Sequence, residues 1–212
     1  MHADRSSISL KVAYGLFAVV FFWSWWQPLW PVEQAMHDSL TVAALLALWV
    51  WRDRWALRAN DQMLILLFLS LHSLAAHWLY SNVPYDAWTR AWLGVSLNEW
   101  MGWRRNHFDR LVHFMYGVCF TPALFSIALA RLTPSVGLAR VLAVGAIIVS
   151  GVVYEWLEWG VALALSPEAA ESYNGQQGDV WDPHMDMLLA AIGALITWPW
   201  LRPASPRTPQ AS

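Results

Sequence analysis

Long apolar runs separated by short polar breaks dominate the chain, and their lengths set the first expectation. A hydrocarbon core about 30 Å thick is crossed by roughly 20 mostly apolar residues at 1.5 Å per residue. Six stretches reach that length, some with their flanks: Leu10 to Trp30, His37 to Trp55, Gln62 to Asn82, Arg110 to Ala130, Ala139 to Leu165 and Met185 to Leu201. The second has the shortest uninterrupted apolar core, Leu40 to Trp51, and needs a thinned bilayer or a close fit against its neighbours. The first run is long, Trp-rich and not followed by a small-residue cleavage site, so it reads as an uncleaved anchor. The pattern predicts an all-α polytopic membrane bundle of six transmembrane helices, one domain over residues 1–202. A polar, Pro-containing tail at 203–212 reads as disordered.

Composition agrees with this pattern. Of 212 residues, 58% are hydrophobic and only 13% charged, with a mean hydropathy of +0.36. Soluble domains carry about 25% charged residues, so a water-facing globule of this size is excluded. One cysteine excludes a disulfide scaffold, and a net charge of −2 gives no reason to expect a nucleic-acid partner. The partner implied is the lipid bilayer.

Charge placement orients the bundle. Of the 13 Lys and Arg, only Arg90, Arg104, Arg105 and Arg110 fall on the side away from the N-terminus. Both termini are therefore expected in the cytoplasm of a bacterial inner (plasma) membrane. Most of the 17 tryptophans then map to the outer half, as an aromatic belt or a thick rim around a pocket. Between Trp88 and Trp103, aromatics interleave with Gly94, Glu99 and Gly102, which reads as an interfacial or re-entrant segment.

Candidate chemistry lies in ionisable residues inside the spans, where an acid costs about 2.5–3.5 kcal/mol and normally has a partner or a task. Glu155 and Glu158, three apart, share a helix face. Asp109 and His113, four apart, share another, as do Asp182 and Asp186 at the start of the last span. His77 lies near the outer end of the third span. These groups, from four spans, are expected within roughly three turns of the outer surface, and the inner halves are expected to be dry. Carboxylates plus imidazole suit a divalent metal such as zinc, manganese or magnesium, with His113, Asp109, Glu158 and Asp186 as ligands. Two crowded carboxylates sharing a proton would instead make an acid/base pair, with Glu155, Glu158, His113, Asp109 and Asp186 as the catalytic set. Arg105 and Arg110, with His107 and His77, would bind an anionic headgroup of a lipid or lipid-linked substrate. Ion pairs such as Arg110 with Glu158, or His113 with Asp186, would alternatively tie helices together. Three readings stay open: an envelope enzyme, a transporter or ligand-binding protein, and a structural or assembly protein.

Single residues read more simply. His72 is expected to be a hydrogen-bonded packing residue, Cys119 an inert one, and Asp182 an N-cap ahead of Pro183. Glu33, His37 and Asp38 are expected to be solvated, and Gly175 and Gly178 to shape a tight turn.

The run His72 through Asp86, the Arg-Asn-His-Phe-Asp-Arg-Leu-Val-His motif from Arg105, Tyr-Glu-Trp-Leu-Glu-Trp from Tyr154 and Gln-Gly-Asp-Val-Trp-Asp from Gln177 resemble the YjdF-like inner-membrane proteins of bacteria. The resemblance covers roughly residues 10 to 200 and implies a polytopic inner-membrane protein. A fainter one, carried by Asp109/His113, Glu155/Glu158 and Asp186/Gly193, is to the VanZ-like membrane proteins. Ala190 stands where their pattern has Asn. That likeness implies a cell-envelope or lipid-linked substrate by analogy.

Overall fold

The computed structural model describes residues 2–203; the tail expected to be disordered falls, from residue 204 on, outside them. Every regular element among the described residues is helical. In chain order they are α1 (His2–Ser24), α2 (Pro31–Trp51), α3 (Ala59–His77), α4 (Tyr85–Leu93), α5 (Leu97–Met101), α6 (Phe108–Arg131), α7 (Val136–Ala164), α8 (Pro167–Asn174) and α9 (Asp182–Thr197). A 3₁₀ turn, Trp198–Trp200, follows.

Three of these, α3, α6 and α7, are long and apolar enough to cross a membrane. The apolar part of α1 is shorter, Ile8–Ser24. α2 is diluted by an inward polar stripe, and α9 begins with two aspartates. Outward faces are strongly apolar: Phe22, Val19, Trp49 and Leu163 are each more than two-thirds exposed. A soluble monomer does not present so much greasy surface, whereas lipid covers it without cost.

α6 is the central post. It packs on α3, α7 and α9, while α3 in turn holds α1 and α2. Its closest partner is α9, because Gly117 of α6 meets the Ala190 carbonyl and Gly193 of α9 meets the Phe114 carbonyl. Small residues let two helix backbones touch where lipid gives no hydrophobic drive to association. Ala190, at 1% exposure, belongs to this seam, its carbonyl lying against Gly117. Larger apolar residues fill the other side, where Phe17, Leu66, Phe68 and Val112 share one cluster.

The third span ends earlier than the apolar run suggests. α3 stops at His77, and the chain turns through Leu79 (φ 46°) and Tyr80 (φ 56°), with the Tyr80 N–H donating to the Ala75 carbonyl at 2.9 Å. Left-handed conformations cost bulky residues about 1–3 kcal/mol each, so the surroundings must hold them. The outcome is a Tyr80 ring turned inward between His37 and His72.

The Trp88–Trp103 segment forms two short helices, α4 and α5, ending at left-handed Gly94 and Gly102. Trp92 and Trp100 stand outward and almost bare. Asp86 pins the pair: it accepts from the Asn98 N–H (2.8 Å) and the Ser96 hydroxyl (2.9 Å) and pairs with Arg90. The Asn98 N–H first, then Ser96 and Arg90, hold its carboxyl below the usual carboxylate range. A depressed folded value means the stabilisation is complete above the ordinary aspartate pKa of about 3.9 and is lost only as pH falls through the lower one. Tryptophan emission from this hairpin should stay constant from pH 7 to about 4 and change below. In Asp86→Asn the acid transition should disappear.

Candidate functional site

The polar groups expected near the outer end divide into an ionic clamp, a buried centre and a second buried layer. The clamp joins the α5–α6 loop to the start of α9. Arg105 donates to Asp182 at 2.5 Å and also pairs with Asp109, one turn further on. Arg110 donates to Asp179 at 2.5 Å, and its other Nη contacts His107 Nδ1 at 3.0 Å. Asn106 and Gln177 lock the two loops together, with the Asn106 N–H on Gln177 Oε1 at 2.9 Å and the Gln177 amide returning to the Asn106 carbonyl at 3.1 Å. Asp182 is the first residue of α9 and Trp181 its N-cap, which corrects the expected N-cap role of Asp182. The guanidinium of Arg105 outcompetes the helix end for the carboxylate, since a charged fork offers more than one N–H. Arg110 pairs with Asp179 and Asp182 and not with Glu158. Both arginines are nearly buried, with side chains 11% and 15% exposed; their terminal nitrogens already face aspartates or His107, and Arg110 Nε is buried without a partner. This leaves little to hold an anionic headgroup.

Beneath the clamp lies the centre. His113 of α6, Glu155 of α7 and Asp186 of α9 offer ligand atoms all within 4.8 Å of one another. His113 Nε2 stands 3.7 Å from Asp186 Oδ2, the pairing expected from sequence. Asp186 and Glu155 are 5% and 8% exposed, and Asp186 Oδ1 and Glu155 Oε1 are buried without a hydrogen-bond partner. An orphaned carboxylate oxygen costs several kcal/mol in a dry interior, so it points to a proton or cation. Asp109 and Asp182 form a second such group with Asp186, yet Arg105 already neutralises both. Glu158, one turn beyond Glu155, lies against Tyr154 and outside the close trio. It lines, with Glu155, His184 and Glu171, a groove of about 650 Å³ between α7, α8 and α9.

His77 does not join the centre. Its Nδ1 lies 2.7 Å from the Ser24 carbonyl, and its ring packs between Trp23 and Trp78, tying α3 to the end of α1. His72 is buried and paired with the Thr41 hydroxyl at 3.2 Å, and Cys119 is buried in the core.

A second buried layer was missed in the sequence. His37 and Asp38, expected to be solvated, are 1% and 2% exposed. Asp38 accepts from the Ser73 hydroxyl at 3.0 Å, and His37 stacks on Tyr173 of α8 at 4.4 Å. The signal was present: Gln34, His37, Asp38 and Thr41 recur every three or four residues, a polar stripe on one helix face. Their place next to a loop made them look wet. The opposite end is not dry either, because Asp61, 1% exposed, is held by Arg58 at 3.0 Å and by the Ser126 hydroxyl at 2.7 Å.

An all-helical chain with apolar outward faces and membrane-length central helices is a membrane protein. Comparison with known proteins places it more narrowly. Residues 9–205 match the family described as Predicted membrane protein (DUF2238), and the chain belongs to that family. It is 31% identical over 172 residues to the Inner membrane protein YjdF of Escherichia coli (strain K12), which covers 76% of this chain and 77% of that protein. The YjdF-like resemblance thus holds; these matches do not bear on the VanZ-like one. No solved structure matches the chain.

Proposed function

We propose that this is a six-span inner-membrane protein, both termini cytoplasmic, in which His113, Glu155 and Asp186 bind a divalent cation on the periplasmic side. The reaction class that fits is acid/base or metal-assisted chemistry on a lipid or lipid-linked group of the cell envelope. One observation carries the reading: two buried carboxylate oxygens without partners beside an imidazole from a third helix. A purely structural network would be expected to pair its buried carboxylates with cations, as the clamp does for Asp109, Asp179 and Asp182. Charge balance supports a cation over an anion, since Arg105 and Arg110 are taken up by Asp109, Asp179 and Asp182, and Glu155 and Asp186 remain. The donor set of one nitrogen and two carboxylates suits zinc or manganese, with bound water as the open position. When bound, such an ion would supply an activated water. The chain's own part is to hold the donors on rigid helices, with the clamp fixing α9 against α6.

Metal analysis of detergent-purified protein tests this. Wild type should hold close to one equivalent of zinc or manganese after gel filtration, while Glu155→Gln and Asp186→Asn should each lose at least ten-fold in affinity at unchanged yield. Metal-free wild type, after exposure to each ion, would defeat the proposal and leave a structural network.

A further inference from the structure

A second cavity lies on the other side of His113. It occupies about 270 Å³ between α2, α3, α6 and α7, near the small end of ligand pockets at roughly 300 Å³. Its walls are apolar, and no Lys, Arg, Asp or Glu is among the described residues lining it. Its polar lining groups include Thr41 paired with His72, Tyr80 against the His72 ring, and His113 against Tyr154. Most are accounted for, Thr41 by His72 and, lower down, Tyr116 by Ser150 at 2.7 Å. The Tyr80 hydroxyl is not: it is buried, the residue being 8% exposed, and has no partner. This is the tyrosine that the left-handed turn after α3 aims inward. α2 and α7 both line the cavity and are not among the closely packed helix pairs of the described residues, and their outer faces, Trp49 and Val149 among them, are exposed and apolar.

We propose that this cavity takes the hydrocarbon chain of an uncharged, hydroxyl-bearing lipid entering sideways from the bilayer between α2 and α7, its hydroxyl meeting Tyr80 and His113. An apolar bore favours the chain, because nothing in it repays the cost of burying a phosphate. The orphaned Tyr80 hydroxyl gives a neutral hydroxyl its partner. His113 belongs to both sites, so the lipid hydroxyl would arrive beside Asp186, 3.7 Å from His113 Nε2. The inference deepens the reading of the cation centre by naming its substrate class, a long-chain alcohol or acylglycerol in place of an anionic headgroup.

Full-length protein in phosphatidylcholine vesicles, irradiated with a diazirine-bearing sixteen-carbon alcohol, tests it. Mass spectrometry should map crosslinks to α2, α3, α6 and α7 around the cavity. Ala44→Phe, which fills the bore, should abolish them, and Tyr80→Phe, which keeps its shape, should weaken them by about five- to tenfold. The matching alkyl phosphate should neither label nor compete. Equal labelling by the phosphate, or labelling indifferent to both variants, would overturn the proposal. Metal content measured on the same variants should stay at the wild-type level, so that failure here and failure of the cation centre are read separately.

Discussion

Arg105→Met is expected to cost about 3–5 kcal/mol, a large part of a total stability that is typically 5–15 kcal/mol. Arg105 is 11% exposed and its guanidinium touches Asp109, Asp179 and Asp182. Removing it leaves buried Asp109 without a cation and Asp182 with only the 3.5 Å contact to Arg110, and both desolvation and repulsion then act against the fold. Thermal melting of detergent-solubilised protein, followed by size-exclusion of the supernatant, should show a drop of many degrees. Arg104→Ala, an exposed neighbour, should leave the melt unchanged. Adding Asp109→Asn and Asp182→Asn to Arg105→Met should recover part of the loss, since the penalty comes from orphaned charges. A melt for Arg105→Met equal to wild type would show that the clamp does not hold α6 to α9.

Comparable damage is expected from a single methyl group at Gly193. A Cβ there would lie inside the van der Waals envelope of the Phe114 carbonyl oxygen, and that atom is backbone and cannot swing away. Overpacking costs typically 1–3 kcal/mol, and a rigid neighbour puts Gly193→Ala at the upper end, about 3 kcal/mol. Gly193→Val should prevent accumulation of folded protein. Gly145→Ala supplies the contrast, because nothing stands within 4 Å of its Cβ direction. Helix propensity alone then favours alanine, by about 0.5–1 kcal/mol. The same pair of melts decides the matter: equal effects at Gly193 and Gly145 would mean that α6 and α9 are not in backbone contact.

Much of the site was legible because helical spacing is rigid. Asp109 with His113, Glu155 with Glu158 and Asp182 with Asp186 were each placed on one face by intervals of three and four, and the His113–Asp186 pair follows across helices. Glu155, however, stands in the close trio, and Glu158 does not. Three residues along a helix change direction by about 60°, so sequence alone does not say which carboxylate faces α9. Arg105 and Arg110 read as cations at a lip because two of their aspartate partners, Asp179 and Asp182, arrive from the loop before α9 and its first residue, far along the chain. His37 and Asp38 read as solvated because proximity to a loop was taken for exposure, although Asp38 and Thr41 bond to Ser73 and His72 of α3 and His37 stacks on Tyr173.

What the chain determines by itself is its solvent and its periodicity. Apolar runs of membrane length force backbone hydrogen bonds to close within helices, since lipid offers none, and that settles an all-helical protein before any contact forms. Which polar face meets which is decided by packing. The glycine seam sets how closely α9 approaches α6, the clamp sets its rotation, and only then do Glu155 and Asp186 come to rest beside His113 with oxygens unpaired. Those are distances between residues up to 73 positions apart (His113 to Asp186), and no local interval encodes them.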